Sequence, residues 1–428
     1  MTASERVAAR ASALKFWLRT SPELRTVETE IHAKLDSGVE EVVRGKRIAL
    51  WKEMLESIGY SDLGEVDEFC SGATLTGPTC PTGLWPKQFT PATLTEEELQ
   101  QQATVQRRHL TYSQVVFFGE EIARSVWKQT LDEVAKGELE GPLALDDIPL
   151  NGPLSKSLGV EQGGKVRCVD DFSASGVNAA AQPLESPKPH TLDVVAGMIS
   201  TVMKFDGSGE KWNIRSFDLK SAYRQCAVHP QSPKFAVIAV GDPTTKTLKA
   251  FRLKAPQLGS VKSVHSFLRV AHSIWTILTT IFLTIKTNYF DDFISLATES
   301  QSVDFTVKAV LRMLGWKFAE DGPKAPPFSP KVTALGVEVD VSRLHQGFTL
   351  IDNIEKRTTE LSETIAGFIN SGRMSRKEAL RLRGRMQFAA GQIFGRVQAM
   401  PVRSYATCIR SWRWTIVRAS FIGAHQIP

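Results

Sequence analysis

The sequence predicts an α+β fold in which a mixed core of short strands and helices is followed by a helical C-terminal region. Two observations support this. Strand-like runs alternate with helical periodicity from about residue 166 to residue 340, whereas only helical spacing of apolar residues continues after residue 351. The chain has 428 residues, of which 42% are hydrophobic, enough for two or three domains or one large multi-lobed protein.

Residues 1–110 form the first predicted region, and the sequence assigns it no function. Apolar residues recur at helical spacing in Ala11–Leu18 and in Ile48–Ile58. The stretch Ser71–Thr93 is rich in Gly, Pro and Thr, which is typical of a loop or linker. We therefore expect an accessory region that is mostly helical.

Residues 111–345 form the second predicted region, and it carries most of the strands. Gln114–Val134 has helical periodicity that ends near Gly137, and a Pro- and Gly-rich passage, Gly141–Gly164, follows it. The β-like runs are Val166–Val169, Ile214–Leu219, Phe235–Val240, Leu248–Leu253 and Val332–Val339.

The same region contains a long helix, predicted for Ser260–Ile285. Its most apolar part, Ile274–Ile285, is twelve residues long. A membrane span needs roughly twenty, so this part is expected to be buried in the protein. Thr287–Leu296 is predicted to form two short strands around a turn, and Thr306–Leu314 a further helix.

Residues 346–428 are predicted to be helical and basic. Two helices, Ile351–Ile369 and Ser375–Ala390, join near Gly372. From residue 373 to residue 418 there are eleven Lys and Arg residues and one acid, Glu378. Such a stretch suits either a phosphate backbone or a solvated helix face, and charge alone does not separate the two.

Bulk composition narrows the class of protein. The net charge of +6 and the pI of about 9.0 are compatible with a polyanionic partner. The five cysteines are scattered without a C-x-x-C pair, which argues against a zinc site or a disulfide framework and favours a reducing compartment. Met1–Arg10 lacks the apolar core of a secretory signal. We expect an intracellular protein, in the cytoplasm or the nucleus, without membrane contact.

Two stretches of the sequence contain aspartates that are candidate ligands for a metal ion. Asp218 stands at a predicted strand end, and Asp291 and Asp292 are adjacent between aromatic residues. Burying acids among aromatic rings is costly unless a cation compensates the charge. Carboxylates that converge on two ions suit in-line phosphoryl transfer, and oxygen ligands favour Mg²⁺, with Mn²⁺ as an alternative. Either stretch alone is more typical of a turn or a surface pair.

Further motifs surround these acids. FDLKSAY spans Phe217–Tyr223, and YFDD spans Tyr289–Asp292. Upstream, Lys165–Phe172 (KVRCVDDF) is followed by Asn178; downstream lies TALGVEVD, residues 333–340. Together these motifs resemble the reverse transcriptases of retrotransposons, of LTR and DIRS-like type. The resemblance implies a right-hand polymerase with fingers near 111–215, a palm near 216–345 and a thumb-like region from about 346.

The resemblance also implies residue roles. Asp218 and Asp291 would be metal ligands, and Asp292 the third carboxylate of the site. Lys165 and Arg167 would hold the incoming triphosphate, which suits two cations on one short strand.

Tyr223 would lie under the sugar and exclude a 2′-hydroxyl, although a core aromatic is an equally good interpretation. Leu219, Leu258 and Gly259 would line the nucleotide site, and Lys324 would protonate the leaving pyrophosphate. The implied primer and template contacts are Tyr289, Phe290, Leu335, Gly336, Arg381 and Arg385. On a helix Arg381 and Arg385 share one face.

The implied activity is addition of deoxynucleoside monophosphates to a primer 3′-hydroxyl, with dNTPs as substrates, an RNA or DNA template-primer as partner and a larger Pol polyprotein as the context. One motif departs from the family. The usual L-P-F-G or L-P-Q-G reads Ala255–Gly259 (APQLG) here, so that Leu258 takes the place of the residue that touches the nucleotide. Two alternatives remain: an RNA-dependent RNA polymerase, and a catalytically degenerate relic that only binds nucleic acid.

Overall fold

A computed structural model describes residues 1–116, 118–162, 164–207 and 209–391. The chain forms two compact units: Met1–Val202 with Asn213–Phe328, and Met203–Trp212 with Ser329–Pro428. The predicted basic stretch extends beyond residue 391, so its last five arginines lie outside the described residues.

The described helices are α1 (Ala3–Glu23), α2 (Arg25–Lys34), α3 (Ser37–Val43), α4 (Ile48–Ser57), α5 (Gly64–Ser71), α6 (Glu96–His109), α7 (Tyr112–Val115), α8 (Glu120–Ala135), α9 (Leu192–Phe205), α10 (Val261–Thr280), α11 (Ser300–Met313), α12 (Glu355–Ser371) and α13 (Arg376–Gly391). The strands are β1 (Gly77–Pro78), β2 (Leu139–Leu143), β3 (Ser155–Gln162), β4 (Lys165–Asp171), β5 (Ala181–Gln182), β6 (Asn213–Asp218), β7 (Val237–Asp242), β8 (Thr247–Leu253), β9 (Ile285–Tyr289), β10 (Asp292–Ala297), β11 (Lys331–Ala334), β12 (Val337–Asp340) and β13 (Leu350–Asn353). The α+β prediction is confirmed.

The N-terminal helices belong to the core of the first unit. α1 begins at a capping box in which the Thr2 hydroxyl and the Glu5 carboxylate satisfy each other's backbone N–H groups. Trp17 of α1 and Trp51 of α4 share one hydrophobic cluster with Phe217 of β6 and Phe293 of β10. Near the start of α1, Arg10 also bonds to Glu299, with 2.7 Å between Nη2 and Oε1. The helices predicted around residues 11–18 and 48–58 are confirmed.

A five-stranded sheet occupies another part of the first unit, in the order β2-β8-β7-β3-β4. α8 packs against it. One prediction was wrong here. The helix predicted over Gln114–Val134 is divided into α7 and α8, because Gly119 has a φ of +107° that a right-handed helix does not allow. The Pro- and Gly-rich passage Gly141–Gly164 contains a strand that was not predicted, β3, whose backbone pairs with β4 on one side and β7 on the other.

A three-stranded antiparallel sheet, in the order β6-β10-β9, lies beside α10 and α11. Side chains alternate between the two faces of a strand. Phe217 and Phe293 are opposite each other and both are buried, so they mark the face that packs into the core. The residues next to them, Asp218 and Asp292, therefore point to the other face.

The second unit contains the antiparallel sheet β11-β12-β13 and the helices α12 and α13. The prediction of one strand over Val332–Val339 was wrong, because the chain reverses at Leu335 and Gly336. Both have positive φ, of 50° and 77°, as a tight hairpin turn requires. The start of the predicted helix Ile351–Ile369 is the strand β13, and the helix itself begins at Glu355.

Within the described residues, no helix combines the length and the apolar character needed to cross a membrane.

Candidate active site

The antiparallel register of β6 and β10 brings two of the predicted catalytic acids together. Asp218, the last residue of β6, is directly opposite Asp292, the first residue of β10. Directly opposite residues of an antiparallel pair have Cβ atoms about 5 Å apart. Asp291 belongs to the two-residue turn between β9 and β10. The sheet thus places three carboxylates at one end, as the order of the motifs suggested.

The turn that carries Asp291 is tied to the end of β6. Tyr289 and Asp292 pair across the hairpin, which leaves Phe290 and Asp291 in the turn. Phe290 has a φ of 52°, a left-handed conformation that costs a residue other than Gly about 1–2 kcal/mol. The amide of Leu219 donates to the carbonyl oxygen of Asp291 at 3.2 Å. This bond fixes the turn relative to the strand that holds Asp218.

The electrostatics of the three acids favour a cation. Burial raises the pKa of Asp291, and the charge of Asp218 adds to that shift. Burial, followed by the charges of Asp291 and Asp218, raises the pKa of Asp292 to about 6. Carboxylates whose charges act on a neighbouring acid in this way are near enough for one cation to stabilise them together.

Lys324 supplies a cation from the chain itself. Its Nζ lies 2.9 Å and 3.2 Å from the two carboxylate oxygens of Asp218. The Lys324 side chain is 73% exposed and the Asp218 side chain 12% exposed. The ammonium is therefore at the solvent side of the site and can leave without unpacking the core. The backbone before it is held by the amide of Ala319, which donates to the carbonyl oxygen of Asp218 at 2.9 Å.

The donor set suits a hard divalent ion, because all three side chains offer carboxylate oxygens. In the described part of the chain, however, no three His, Cys, Asp or Glu side chains are gathered as a ready metal site. The Lys324 ammonium occupies both oxygens of Asp218. The Mg²⁺ or Mn²⁺ site on Asp218, Asp291 and Asp292 stays a prediction.

Tyr223 lies beside this centre in a short 3-10 turn, Ala222–Gln225. Its ring stacks at 4.5 Å from the centroid of the Phe267 ring of α10. Burial, and then the charge of Asp291, raises the pKa of the Tyr223 phenol. Leu219 is also present, but the residue is buried in the core, and its amide is already bonded to Asp291.

Lys165 and Arg167 project from the same face of β4, the edge strand of the five-stranded sheet, and both are exposed. The intervening Val166 packs against the core on the other face. In the part of the chain described, neither cation bonds to the three aspartates. They remain available for an anionic ligand, and their predicted role is not tested.

The altered segment at Ala255–Gly259 lies against the same strand. Gly259 has a φ of 116°, and a Cβ there would lie 2.6 Å from the carbonyl oxygen of Asp170. The Asn178 side chain braces the segment: it donates to the carbonyl oxygen of Gly259 at 2.9 Å and accepts from the amide of Val261 at 3.0 Å. Leu258, at the tip, is 62% exposed. The substitution therefore lies on an ordered loop.

The residues predicted to contact the primer and template are divided between the two units. Tyr289 and Phe290 pack edge to face at the hairpin of the first unit. In the second unit, Leu335 and Gly336 form the β11–β12 turn, and the guanidinium of Arg357 donates to the carbonyl oxygen of Gly336. The two predicted helix contacts differ in surroundings: Arg381 is exposed, and Arg385 pairs with Glu360 at 3.1 Å.

Two residues that support the centre were not predicted. His190 accepts from the amide of Asn288 at 3.1 Å, and its own amide donates to the Asn288 carbonyl oxygen at 2.9 Å, so it braces the strand that leads to the YFDD turn. Gln225, two residues after Tyr223, bonds to four groups around Asp218. Its position two residues after the end of the FDLKSAY motif was the available signal.

No protein-family model and no curated protein matches the sequence. Among solved structures, the chain is similar to the foamy viral protease-reverse transcriptase dRH in complex with ds DNA, at 13% identity over 86% of this chain and 55% of that chain, with a TM-score of 0.46. It is also similar to the foamy viral protease-reverse transcriptase in complex with dsDNA, at 14% identity over 86% and 65%, with a TM-score of 0.45. The chain thus spans less than two thirds of the length of either.

Proposed function

We propose that this chain is an RNA-directed DNA polymerase of a retroelement, with a right-hand fold, that adds deoxynucleoside monophosphates to a primer 3′-hydroxyl. The observation that supports this most strongly is the pairing of Asp218 with Asp292, with Asp291 in the adjoining turn. A turn former or a surface pair has no reason to be held so near two other acids, since the charges of Asp291 and Asp218 raise the pKa of Asp292.

In this proposal Asp218, Asp291 and Asp292 hold divalent cations. A divalent ion held there would lower the pKa of the attacking hydroxyl and neutralise charge on the leaving pyrophosphate. Lys324 acts from the solvent side: it leaves the Asp218 carboxylate and donates its proton to the leaving group. Its exposure and its ion pair with Asp218 support this role.

Substrate selection follows from two further features. Lys165 and Arg167 are exposed on one face of β4 and would bind the triphosphate, Arg167 through two parallel hydrogen bonds. Tyr223, beside Asp291, would exclude a 2′-hydroxyl and so select dNTPs over NTPs. Packing of Tyr223 on Phe267 keeps the ring in one position, which such selection requires.

Primer extension tests the proposal. The wild-type protein is expected to extend a primer on an RNA template with dNTPs and Mg²⁺ or Mn²⁺, and Asp291→Ala to lose extension while it keeps salt-dependent binding to the template-primer. Asp132→Ala, on an exposed position of α8, is the matched control and should keep full activity. Equal use of NTPs would instead identify an RNA-dependent RNA polymerase.

The replacement at Leu258 favours one second candidate, a relic that binds nucleic acid without catalysis. A leucine offers no hydrogen bond to a nucleotide. Salt-dependent binding of a primed template, with no extension in either metal and no difference between the wild type and Asp291→Ala, would support that candidate and contradict the polymerase.

A further inference from the structure

Lys46, in the N-terminal region, is buried although no acid pairs with it among the described residues. It is only 4% exposed, and burial lowers its pKa to about 7. Its Nζ donates to Gln225 Oε1 at 2.6 Å and to the carbonyl oxygen of Gly315 at 2.8 Å, and it lies 4.2 Å from the centroid of the Trp316 ring. A buried ammonium is costly unless its hydrogens are satisfied, so these contacts determine its position.

Gln225 uses the full hydrogen-bonding capacity of its amide. The Oε1 accepts from Lys46 and from the backbone amide of Lys317 at 2.8 Å. The Nε2 donates to the carbonyl oxygens of Lys220 at 2.9 Å and Lys317 at 2.8 Å. Oxygen and nitrogen of the amide cannot be exchanged in this arrangement, because each faces groups of one kind only.

The groups that Gln225 holds lie on both sides of Asp218. Lys220 is two residues after Asp218, and its amide donates to the carbonyl oxygen of Lys317 at 3.1 Å. The amide of Ala319 in turn donates to the carbonyl oxygen of Asp218 at 2.9 Å. The backbone from Lys317 to Ala319 therefore runs beside Asp218–Lys220 and continues to Lys324.

The N-terminal region also contacts the residues just before Lys317, at Leu314 and Gly315. The amide of Arg47 donates to the carbonyl oxygen of Leu314 at 3.1 Å. Gly315 has a φ of 78°, and a Cβ there would lie 2.0 Å from the carbonyl oxygen of Gly45. α3 packs against the 3-10 turn that ends at Gln225. The region around the turn between α3 and α4 therefore contacts two backbone segments near Asp218: the one that begins at Leu314 and the 3-10 turn that ends at Gln225.

We propose that Lys46 is a positioning residue for the catalytic centre: through Gln225 it holds the backbone of Lys220 and Lys317, and thereby orients Asp218 and Lys324. This inference rests on the proposed function. Without the Lys46 ammonium, Gln225 Oε1 keeps one of its two donors and the amide gains freedom to turn. A displacement of about 1 Å at a catalytic group reduces the rate on the order of 100-fold, so the turnover number should fall while substrate binding persists.

Lys46→Met tests the inference against Lys52→Met, which changes a half-exposed lysine of α4 in the same region. We expect the kcat of primer extension to fall at least tenfold for Lys46→Met, with the KM for dNTP within twofold of wild type, and both to be unchanged for Lys52→Met. Lys46→Arg keeps donors and charge and should recover most of the kcat. Equal kcat for Lys46→Met and Lys52→Met in an active enzyme would overturn the inference.

Hydrogen exchange gives a second measurement that needs neither activity nor a variant. In the wild type, the amides of Lys220, Lys317 and Ala319 should open with the same free energy and denaturant dependence as those of α4, because one network holds them. Exposure of α4 amides while those three stay protected would overturn the inference even if Lys46→Met fails to fold. Coupled exchange in a protein that never extends a primer would instead refute the polymerase and leave the network intact.

Discussion

Asp292→Asn should stabilise the protein in the absence of divalent metal. The pKa of Asp292 is raised from 3.8 to about 6 by burial and by the charges of Asp291 and Asp218. One pKa unit corresponds to about 1.4 kcal/mol, so the ionised carboxylate costs the folded state about 3 kcal/mol. Because the site is open to solvent, screening reduces the expected gain from the substitution to about 1–2 kcal/mol.

The pH dependence follows from the direction of the shift. A folded-state pKa above the unfolded value means that the contribution of Asp292 to stability is fully present below pH 3.8 and is lost as the pH rises through about 6. The advantage of Asp292→Asn should therefore be largest at pH 8 and should fade as the pH is lowered towards 4. Urea denaturation in EDTA at pH 8, 6 and 4 measures it, with Asp132→Asn as the exposed control.

The same urea denaturation can be repeated with Mg²⁺ in place of EDTA. Ligands that bind only the folded state stabilise it, so Mg²⁺ should raise the stability of the wild type more than that of Asp292→Asn, whose neutral amide is a weaker ligand. A variant no more stable than the wild type at pH 8 in EDTA would contradict a destabilising charge on Asp292. A stability difference that does not change with pH would contradict it as well.

Three other changes have defined outcomes. Gly315→Ala should cost more than about 2 kcal/mol in urea denaturation, because its Cβ would meet the Gly45 carbonyl oxygen, whereas Gly322→Ala, at a similar φ in open space, should cost about 1 kcal/mol. Burial lowers the pKa of Lys286 to about 7, so the contribution of Lys286 to stability is fully present above pH 10.5 and declines as the pH falls to 7; Lys286→Met should remove that part of the pH dependence and add about 1–3 kcal/mol at pH 7. Leu258→Gln should leave stability within about 0.5 kcal/mol and lower the KM for dNTP in primer extension; an unchanged KM would separate Leu258 from nucleotide binding.

Local signals in the sequence were sufficient for most elements near the candidate site. The apolar periodicity of residues 260–285 predicted α10, and the alternation around the YFDD motif predicted β9 and β10 with the acids at their turn. The hairpin at Leu335-Gly336 was missed because a leucine at positive φ has no sequence signature, although the apolar positions change phase across the turn, from Val332 and Ala334 to Val337 and Val339. The break before α8 depends on one glycine, Gly119, which many helices tolerate.

Long-range contacts could not be read from the sequence in the same way. Helical periodicity showed that α4 has an apolar face, but not that this face packs with Phe217 and Phe293 behind the acids. The same limit applies to Lys46: nothing local distinguishes it from the lysines on helix surfaces. Its burial becomes visible only when Gln225 and Gly315, more than 170 residues away in the chain, are brought against it.

In the altered segment around Leu258, the path of the backbone does not depend on the side chain at position 258. Its backbone depends on Gly259, whose left-handed φ and contact with the Asp170 carbonyl oxygen exclude any side chain. The bonds from Asn178 need that same path. The side chain of Leu258 contributes to neither, since it is mostly exposed. The path of the backbone is therefore held independently of the side chain at position 258, so Leu258→Gln should change a contact at the tip of the loop without changing the loop itself.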